Sequence, residues 1–338
     1  MENQLSRNKL DNKNKRKIVG DKILHAILFF LLLLASSIII ISVVFIIIKG
    51  VQPFIYNYGT DGEILKQDII AFFTSSRWTY NGMGGVPFLV LTTLYVVLLS
   101  LIISVPTSIF AALFIAKIAP KGLSLVIRSA VDLLASIPSV IFGLFGMGII
   151  CPMVREIAEA FGTQTYGGSS ILSAAIVIAI MSIPTITTLS ISAINAVPQS
   201  QINGSLALGA SKAQTNLKVI LKGAKSGIFA GIILGIGRAL GEATAIQMVI
   251  GNTSEGSGFY NIFMPGSTIA SSMLSGIGEA SGLGYDVRFS LGIVLMLIII
   301  ITNLILNAIK NYNKDKQKNG LIKRFLDHFR KVKDYVQK

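Results

Sequence analysis

The stretch that decides the fold is residues 227–251, which read GIFAGIILGIGRALGEATAIQMVIG. These 25 residues are almost wholly apolar but carry two charges near their centre, and about 20 apolar residues are enough for a helix to cross a bilayer. On a helix that turns about 100° per residue, three glycines and both charges share one face, and four apolar residues share the other. The first set is Gly227, Gly231, Gly235, Arg238 and Glu242, and the second is Ile232, Ile236, Ala239 and Leu240.

This division predicts that the glycine face turns inward and that the apolar face meets lipid. Small residues four apart let a neighbouring helix approach closely. A charge in hydrocarbon is costly unless it is paired or lines a wet cavity. Two hypotheses follow for Arg238 and Glu242: a structural ion pair between residues four apart on one helix, or part of a pathway for a charged solute.

The composition is typical of a polytopic membrane protein. Of the 338 residues, 52% are hydrophobic and only 14% are charged, which is too apolar for a soluble protein of this size. The net charge of +14 does not indicate nucleic acid binding, because the basic residues cluster in the tails and in short loops beside apolar runs. The single cysteine, Cys151, excludes an intrachain disulfide and a cysteine-based metal site.

Apolar runs divide the chain into two tails and a transmembrane domain. Residues 1–22 are predicted to be a disordered basic tail, residues 23–309 the membrane domain, and residues 310–338 a second basic tail. In that tail, segment 322–336 has apolar residues at helical spacing among basic ones, which predicts an amphipathic helix bound to lipid of the inner leaflet. The six predicted spans are 23–48, 87–116, 124–150, 170–194, 227–251 and 287–309.

The distribution of basic residues across these spans predicts the orientation. On this map, 24 of the 30 Lys and Arg residues lie on the side that holds both tails. Because cytoplasmic loops carry the excess of Lys and Arg, both termini are predicted to be cytoplasmic, in a multi-pass protein of the cell membrane.

Three hydroxyl residues beside prolines are candidates for lining the pathway. Ser136 and Ser139 flank the dipeptide Ile137-Pro138, and Thr185 follows Pro184. A broken, polar helix is tolerated at membrane depth only against protein or water, so these segments are predicted to face inward. The alternative is that the hydroxyls only cap the helices at the prolines.

The sequence predicts no enzyme activity and no cofactor bound by this chain. It contains no G-x-x-x-x-G-K-[ST] phosphate-binding loop, no catalytic-triad spacing and no metal-ligand spacing. If transport is active, its energy must therefore come from a partner or from an ion gradient.

One cytoplasmic loop resembles the coupling loop of ABC importer permeases. Residues 199–222 contain NGSLALGAS at 203–211, in which Gly209 and Ala210 match the family's glycine region and Leu221 matches its later leucine. The loop departs from the family at Asn203, where Glu is usual, and at Lys222, where Pro is usual. In the family this loop forms a short helix seated in a cleft of the ATPase subunit.

Longer segments resemble the phosphate-specific permease of the PstC type. The resemblance covers residues 70–309 and is carried by DLLASIPSVIFGLFG at 132–146, IPT at 183–185 and GIGRALGEATAIQMVIGN at 235–252. By this resemblance, Arg238 and Glu242 are the charged pair in the translocation path.

The resemblance implies the ABC importer (MetI-like) permease fold, with its core at about 86–309. It also implies a second permease subunit in a heterodimer, two ATPase subunits that bind ATP, and an extracytoplasmic phosphate-binding protein. The expected function is the pore-forming half of an ATP-driven phosphate importer. One alternative is the permease of an ABC importer for another oxyanion, such as sulfate or molybdate. The other is an ion-coupled carrier, which would need inverted repeats that the sequence does not reveal.

Overall fold

The computed structural model consists of helices joined by loops. It describes residues 2–59, 64–79, 84–254 and 261–336, and it describes side chains from 21 to 310 within these ranges. The α-helices of this part are α1 Glu2–Ile55, α2 Ile69–Thr74, α3 Pro87–Leu113, α4 Lys121–Ser136, α5 Ser139–Phe145, α6 Cys151–Ala160, α7 Ile171–Asn195, α8 Gln199–Ala207, α9 Lys212–Gln214, α10 Leu221–Gly241, α11 Thr244–Val249, α12 Ile269–Leu274 and α13 Gly282–Val336. Three π-helical segments accompany them: π1 Phe114–Ile118, π2 Gly146–Ile150 and π3 Thr215–Ile220.

Six helical segments of the described chain are long and apolar enough to cross a membrane, which agrees with the predicted number. Three of them include a π-helical segment, because α3 continues into π1, α5 continues through π2 into α6, and α9 continues through π3 into α10. The six segments are Asp21–Ile55, Pro87–Ile118, Ser139–Ala160, Ile171–Asn195, Lys212–Gly241 and Gly282–Lys310.

The third span differs from its predicted bounds of 124–150. Helix α4 ends at Ser136 because Ile137 is extended, with ψ 129°, in front of Pro138, and a residue before proline avoids the helical region. The apolar run therefore belongs to two helices. The membrane-length segment begins only at Ser139, and α4 is a separate helix in which Val131 alone is buried.

The first tail also differs from the prediction. Helix α1 begins at Glu2, so the segment predicted to be disordered is helical from its second residue. No proline occurs before Pro53, and a helix that has nucleated extends at little cost through residues that tolerate helical geometry. In the second tail, α13 runs to Val336. Residues 322–336 are therefore helical, while the predicted lipid contact of their side chains lies outside the described residues.

Helix α7 is the centre of the bundle. It packs against α3, α4 and α10, and its apolar side chains are buried in a cluster shared with α3, α10 and α11. Pro184 breaks the helical hydrogen-bond pattern in the middle of α7. Ser108 of α3 donates to the carbonyl of Ile183 beside this proline (Oγ–O 3.3 Å). A side chain of the neighbouring helix therefore bonds to a backbone carbonyl close to the break.

Helix α1 lies at the edge of the bundle and packs against α13. A polar contact joins the two helices at one end. Asp286 of α13 pairs with Lys49 (Nζ–Oδ1 3.2 Å) and accepts a hydrogen bond from the Tyr58 hydroxyl (2.6 Å). Burial and the nearby Asp286 carboxylate raise the pKa of Tyr58 well above its ordinary value, so this hydroxyl stays a donor at neutral pH.

Candidate functional site

The glycine face of α10 packs against α7, as the sequence predicts. A Cβ atom added to Gly227 would lie 2.5 Å from the Ala193 Cβ atom, and one added to Gly235 would lie 2.8 Å from the Ile186 Cγ1 atom. Such distances are shorter than van der Waals contact, so the two helix backbones approach closely only because glycine lacks a side chain. This close packing brings the end of α10 to the polar part of α7.

The predicted fifth span ends earlier than residue 251. Helix α10 stops at Gly241, and Glu242 is extended, with φ −73° and ψ 119°. A new helix, α11, begins at Thr244. Arg238 therefore lies in the last turn of α10, and Glu242 lies in the break that follows. Broken helices at membrane depth are where many transporters place their substrate sites.

This break contradicts the hypothesis of a structural ion pair four residues apart on one helix. Within the described part of the chain, no contact within 4.0 Å joins the Arg238 guanidinium to the Glu242 carboxylate. The extended backbone at Glu242 turns its side chain away from the direction that a continuous helix would give it. Each charge instead has its own polar contacts.

Arg238 contacts one of the predicted hydroxyl residues. Its Nη1 atom donates to the Oγ1 atom of Thr185, one residue after the proline of α7 (3.2 Å). Both side chains are half-buried. A guanidinium has five N–H donors in a fixed planar arrangement, and Thr185 takes one of them. The other N–H donors make no hydrogen bond within the described part of the chain, so they can bind an oxyanion.

Glu242 belongs to a short chain of hydrogen bonds. Its Oε1 atom accepts from the Thr244 hydroxyl (2.9 Å) and from the backbone N–H of Ala245 (3.1 Å). The Thr244 oxygen in turn lies 2.8 Å from the Ser139 hydroxyl at the start of α5. Because Thr244 donates its proton to Glu242, Ser139 is the donor in that contact. Thr244 is the one member of this group that the sequence analysis missed.

The other predicted hydroxyl does not join the group. Ser136 is exposed and donates to the carbonyl of Leu133 within its own helix (2.7 Å). Its observed contact is therefore that of a helix-end cap, whereas Ser139, on the other side of Pro138, points towards the break between α10 and α11.

The apolar face of α10 does not meet lipid as predicted. Ile236, Ala239 and Leu240 are 7%, 2% and 2% exposed and lie in the main buried cluster. The sequence pattern cannot distinguish lipid from protein as the neighbour of an apolar face, since both are equally apolar. Among the large apolar side chains of α10, all of which the structure describes, Leu234 is the exposed one, at 56%.

The space beside Arg238 is open on one side. A Cβ atom added to Gly237 or Gly241 would meet no heavy atom within 4 Å, and Gly241 is exposed. The polar group of Ser139, Thr185, Arg238 and Glu242 therefore lies at a surface of this chain that its own helices do not close.

The predicted coupling loop forms a helix and a sharp turn. Helix α8 is followed by Leu208, which is 90% exposed, and by Gly209, whose φ of +82° requires glycine. Asn203 lies on α8 and accepts from the Gln199 amide (3.2 Å). Ala210 lies just past the turn, whereas Leu221 packs against the buried cluster at the start of α10. Leu221 is therefore not part of the exposed tip.

Residues 104–318 match the family described as binding-protein-dependent transport system inner membrane component. The match covers more than half of the chain, so this protein belongs to that family of multi-pass inner-membrane transport proteins.

Individual relatives agree with this assignment. The chain is 36% identical over 214 residues to the probable ABC transporter permease protein YqgH of Bacillus subtilis, covering 62% of this chain and 65% of that protein. It is 30% identical over 272 residues to the phosphate transport system permease protein PstC of Xylella fastidiosa, covering 76% of this chain and 83% of that protein. Among solved structures, a chain of a bacterial alginate ABC transporter in complex with a periplasmic protein shares the fold, with a TM-score of 0.60 and 16% identity over 87% of this chain and 95% of that one.

Proposed function

We propose that the chain is the membrane-spanning permease subunit of an ATP-driven importer of inorganic phosphate. The observation that carries this proposal is the similarity to the PstC permease of Xylella fastidiosa, which extends over most of both chains. The half-buried Arg238 at a helix break gives that similarity a chemical basis, because an oxyanion needs a cation at a point where it can leave again.

The permease works with partners in this proposal. A second permease subunit completes the pore, two ATPase subunits bind and hydrolyse ATP at the cytoplasmic side, and an extracytoplasmic protein delivers phosphate. Both termini of this chain are cytoplasmic, and the chain itself binds no cofactor. The open space beside Gly237 and Gly241 supports a pore that needs a second subunit, because this chain leaves one side of the polar group uncovered.

Arg238 is proposed to bind the passing phosphate. Guanidinium matches two oxygens of an oxyanion in a bidentate arrangement, and in the described part of the chain one of its donors is engaged, with Thr185. Thr185 holds the guanidinium in position between turnovers. It is also close enough to donate its hydroxyl to a phosphate oxygen once the anion has arrived.

Glu242 is proposed to limit how tightly the anion is held. Its carboxylate is fixed by Thr244 and by the backbone of Ala245, so it remains near the break without neutralising Arg238 directly. A nearby negative charge weakens anion binding, and weak binding allows release. Ser139 completes the lining through its contact with Thr244.

The loop around α8 is proposed to transmit ATP hydrolysis. The exposed Leu208 supplies an apolar contact for the ATPase, and the left-handed backbone at Gly209 sets the direction in which the chain leaves the helix. Alternating access then follows when the ATPase subunits move α8 and, through π3, the connected helix α10.

Purification tests this proposal. The chain is expressed with its neighbouring genes, and the purified complex is analysed for an ATPase subunit and for ATP hydrolysis stimulated by phosphate-loaded binding protein. We expect both, and we expect sulfate-loaded preparations to give no stimulation. A chain that purifies without an ATPase and moves phosphate along an ion gradient would refute the proposal.

A further inference from the structure

A cavity with both apolar and polar lining lies at the start of α10, whereas Arg238 lies in the last turn of that helix. It has a volume of about 560 Å³. The residues that border it come from π1, α8, α9 and π3. It therefore lies between the proposed coupling helix and the ends of two membrane-spanning segments.

Three of the polar side chains that border this cavity have no partner in the described part of the chain, whereas Gln199 and Thr215, which also border it, bond to Asn203 and to Ser205. Lys117 of π1 and Lys212 of α9 border it, and so does Asn216 of π3. In the described part of the chain, neither lysine has a carboxylate within 4.0 Å, and the side-chain amide of Asn216 makes no hydrogen bond. Three donors, two of them cationic, thus border one space.

The chain around the cavity contains no acidic residue that could neutralise these lysines. No Asp or Glu occurs in residues 69–131, which include π1, or in residues 160–241, which include α8, α9 and π3. Lys218 of π3 and Lys225 of α10 are exposed, as Lys212 is, but they do not border the cavity. The two cavity lysines are therefore distinguished by position and not by the general basicity of the loop.

The backbone around the cavity has an unusual geometry. Both π1 and π3 end with hydrogen bonds between residues five apart, from Ala119 N–H to the Phe114 carbonyl and from Leu221 N–H to the Asn216 carbonyl. π-helical turns are rare and occur mostly at functional sites. Here the widened turns border the same cavity from two sides, and each contributes one of the donors.

We propose that this cavity binds a phosphoryl group between Lys117 and Lys212. Two ammonium groups and an amide provide charge-assisted hydrogen bonds to phosphoryl oxygens. The phosphoryl group belongs either to free inorganic phosphate or to the headgroup of an anionic lipid. A lipid is a candidate because the cavity opens beside the exposed Ile118 at the end of a membrane-spanning segment.

Occupancy of this site would link two parts of the protein that share an apolar cluster, in which Ile115 of π1 packs with Ile202 and Ile220. Lys117 is fixed to the end of α3, and Lys212 belongs to the loop that follows Gly209. A bound phosphoryl group restrains one against the other. If the proposed function is correct, free phosphate on the cytoplasmic side would thereby restrain the coupling loop, but the binding site itself does not depend on that function.

Lysine protection in the unmodified complex tests the site directly. The purified complex is acylated under limiting reagent in detergent, with inorganic phosphate or with chloride at equal ionic strength, and modified lysines are quantified by mass spectrometry. A parallel arm compares phosphate-free nanodiscs of phosphatidylcholine with and without phosphatidylglycerol. We expect Lys117 and Lys212 to be protected in at least one arm, while Lys218 and Lys225 are unchanged.

The two arms identify the source of the phosphoryl group. Protection by inorganic phosphate assigns the site to the free anion, and protection only by phosphatidylglycerol assigns it to lipid. Equal response of all four lysines in both arms overturns the proposal, whatever the transport activity of the complex.

A pair of matched variants gives the affinity. Binding of the protecting ligand is measured for the double variant Lys117→Gln with Lys212→Gln and for the control Lys218→Gln with Lys225→Gln, which removes the same charge at two lysines that do not border the cavity. We expect affinity to fall about tenfold or more in the first, because each hydrogen bond to a charged group contributes at least that factor, and to be unchanged in the control. Equal affinity in both variants contradicts the site.

Discussion

Replacement of Arg238 by Gln separates transport from stability. Within the residues that the structure describes, Arg238 makes one side-chain hydrogen bond, to Thr185 at 3.2 Å, and no ion pair with Glu242. Loss of this half-exposed contact should cost about 1 kcal/mol of stability. Loss of a bidentate contact to phosphate removes two charge-assisted hydrogen bonds, at about 1.5–3 kcal/mol each. Uptake should therefore fall by a factor on the order of 100 or more.

The assay is ATP-driven uptake of radioactive phosphate by proteoliposomes that hold the assembled complex at matched levels, together with its thermal unfolding. Arg155→Gln is the control, because Arg155 is an exposed arginine that pairs with Glu159 (3.5 Å) away from the site. Normal uptake by Arg238→Gln would refute the role given to this residue.

The double variant Arg238→Gln with Glu242→Gln also tests whether the two charges serve transport or form a structural pair. Because no ion pair is broken, the effects of the two substitutions on stability should add. Restoration of both uptake and stability in the double variant would return the two charges to a structural role.

Three further predictions concern the loop, the packing and the tail. Gly209→Val should abolish phosphate-stimulated ATP hydrolysis, since valine disfavours a φ of +82°, whereas Gly204→Ala on α8, where a Cβ meets no atom within 4 Å, should keep it. Gly235→Ala should destabilise the bundle by about 1–3 kcal/mol in thermal unfolding because it overpacks against α7, whereas Gly237→Ala, in open space, should not. A peptide of residues 322–336 should become helical by circular dichroism with anionic vesicles, and a disordered spectrum would contradict the predicted lipid contact.

The number of spans and the packing of α10 could be predicted because both depend on local patterns. Span length follows from the number of consecutive apolar residues. The close approach to α7 follows from glycines four apart, and Gly227 and Gly235 do contact that helix. Such patterns need no knowledge of which helices become neighbours.

The break between α10 and α11 could not be predicted from the same pattern. Apolar residues continue on both sides of Glu242, and no proline marks the position. Contacts made after folding stabilise the break, since Glu242 accepts from the backbone N–H of Ala245 in α11 and from Thr244, which in turn reaches Ser139, 105 residues away. A threonine two residues after a membrane-embedded glutamate was the one local signal, because its hydroxyl can donate to that carboxylate.

Uptake by the reconstituted transporter tests the central claim most directly. The complete complex, with its binding protein outside and ATP inside the vesicles, is supplied with radioactive phosphate in the presence of excess unlabelled phosphate, sulfate or molybdate. The proposed function predicts accumulation that requires ATP and is abolished by unlabelled phosphate only. Accumulation without ATP, or competition by sulfate or molybdate as strong as that by phosphate, would contradict it.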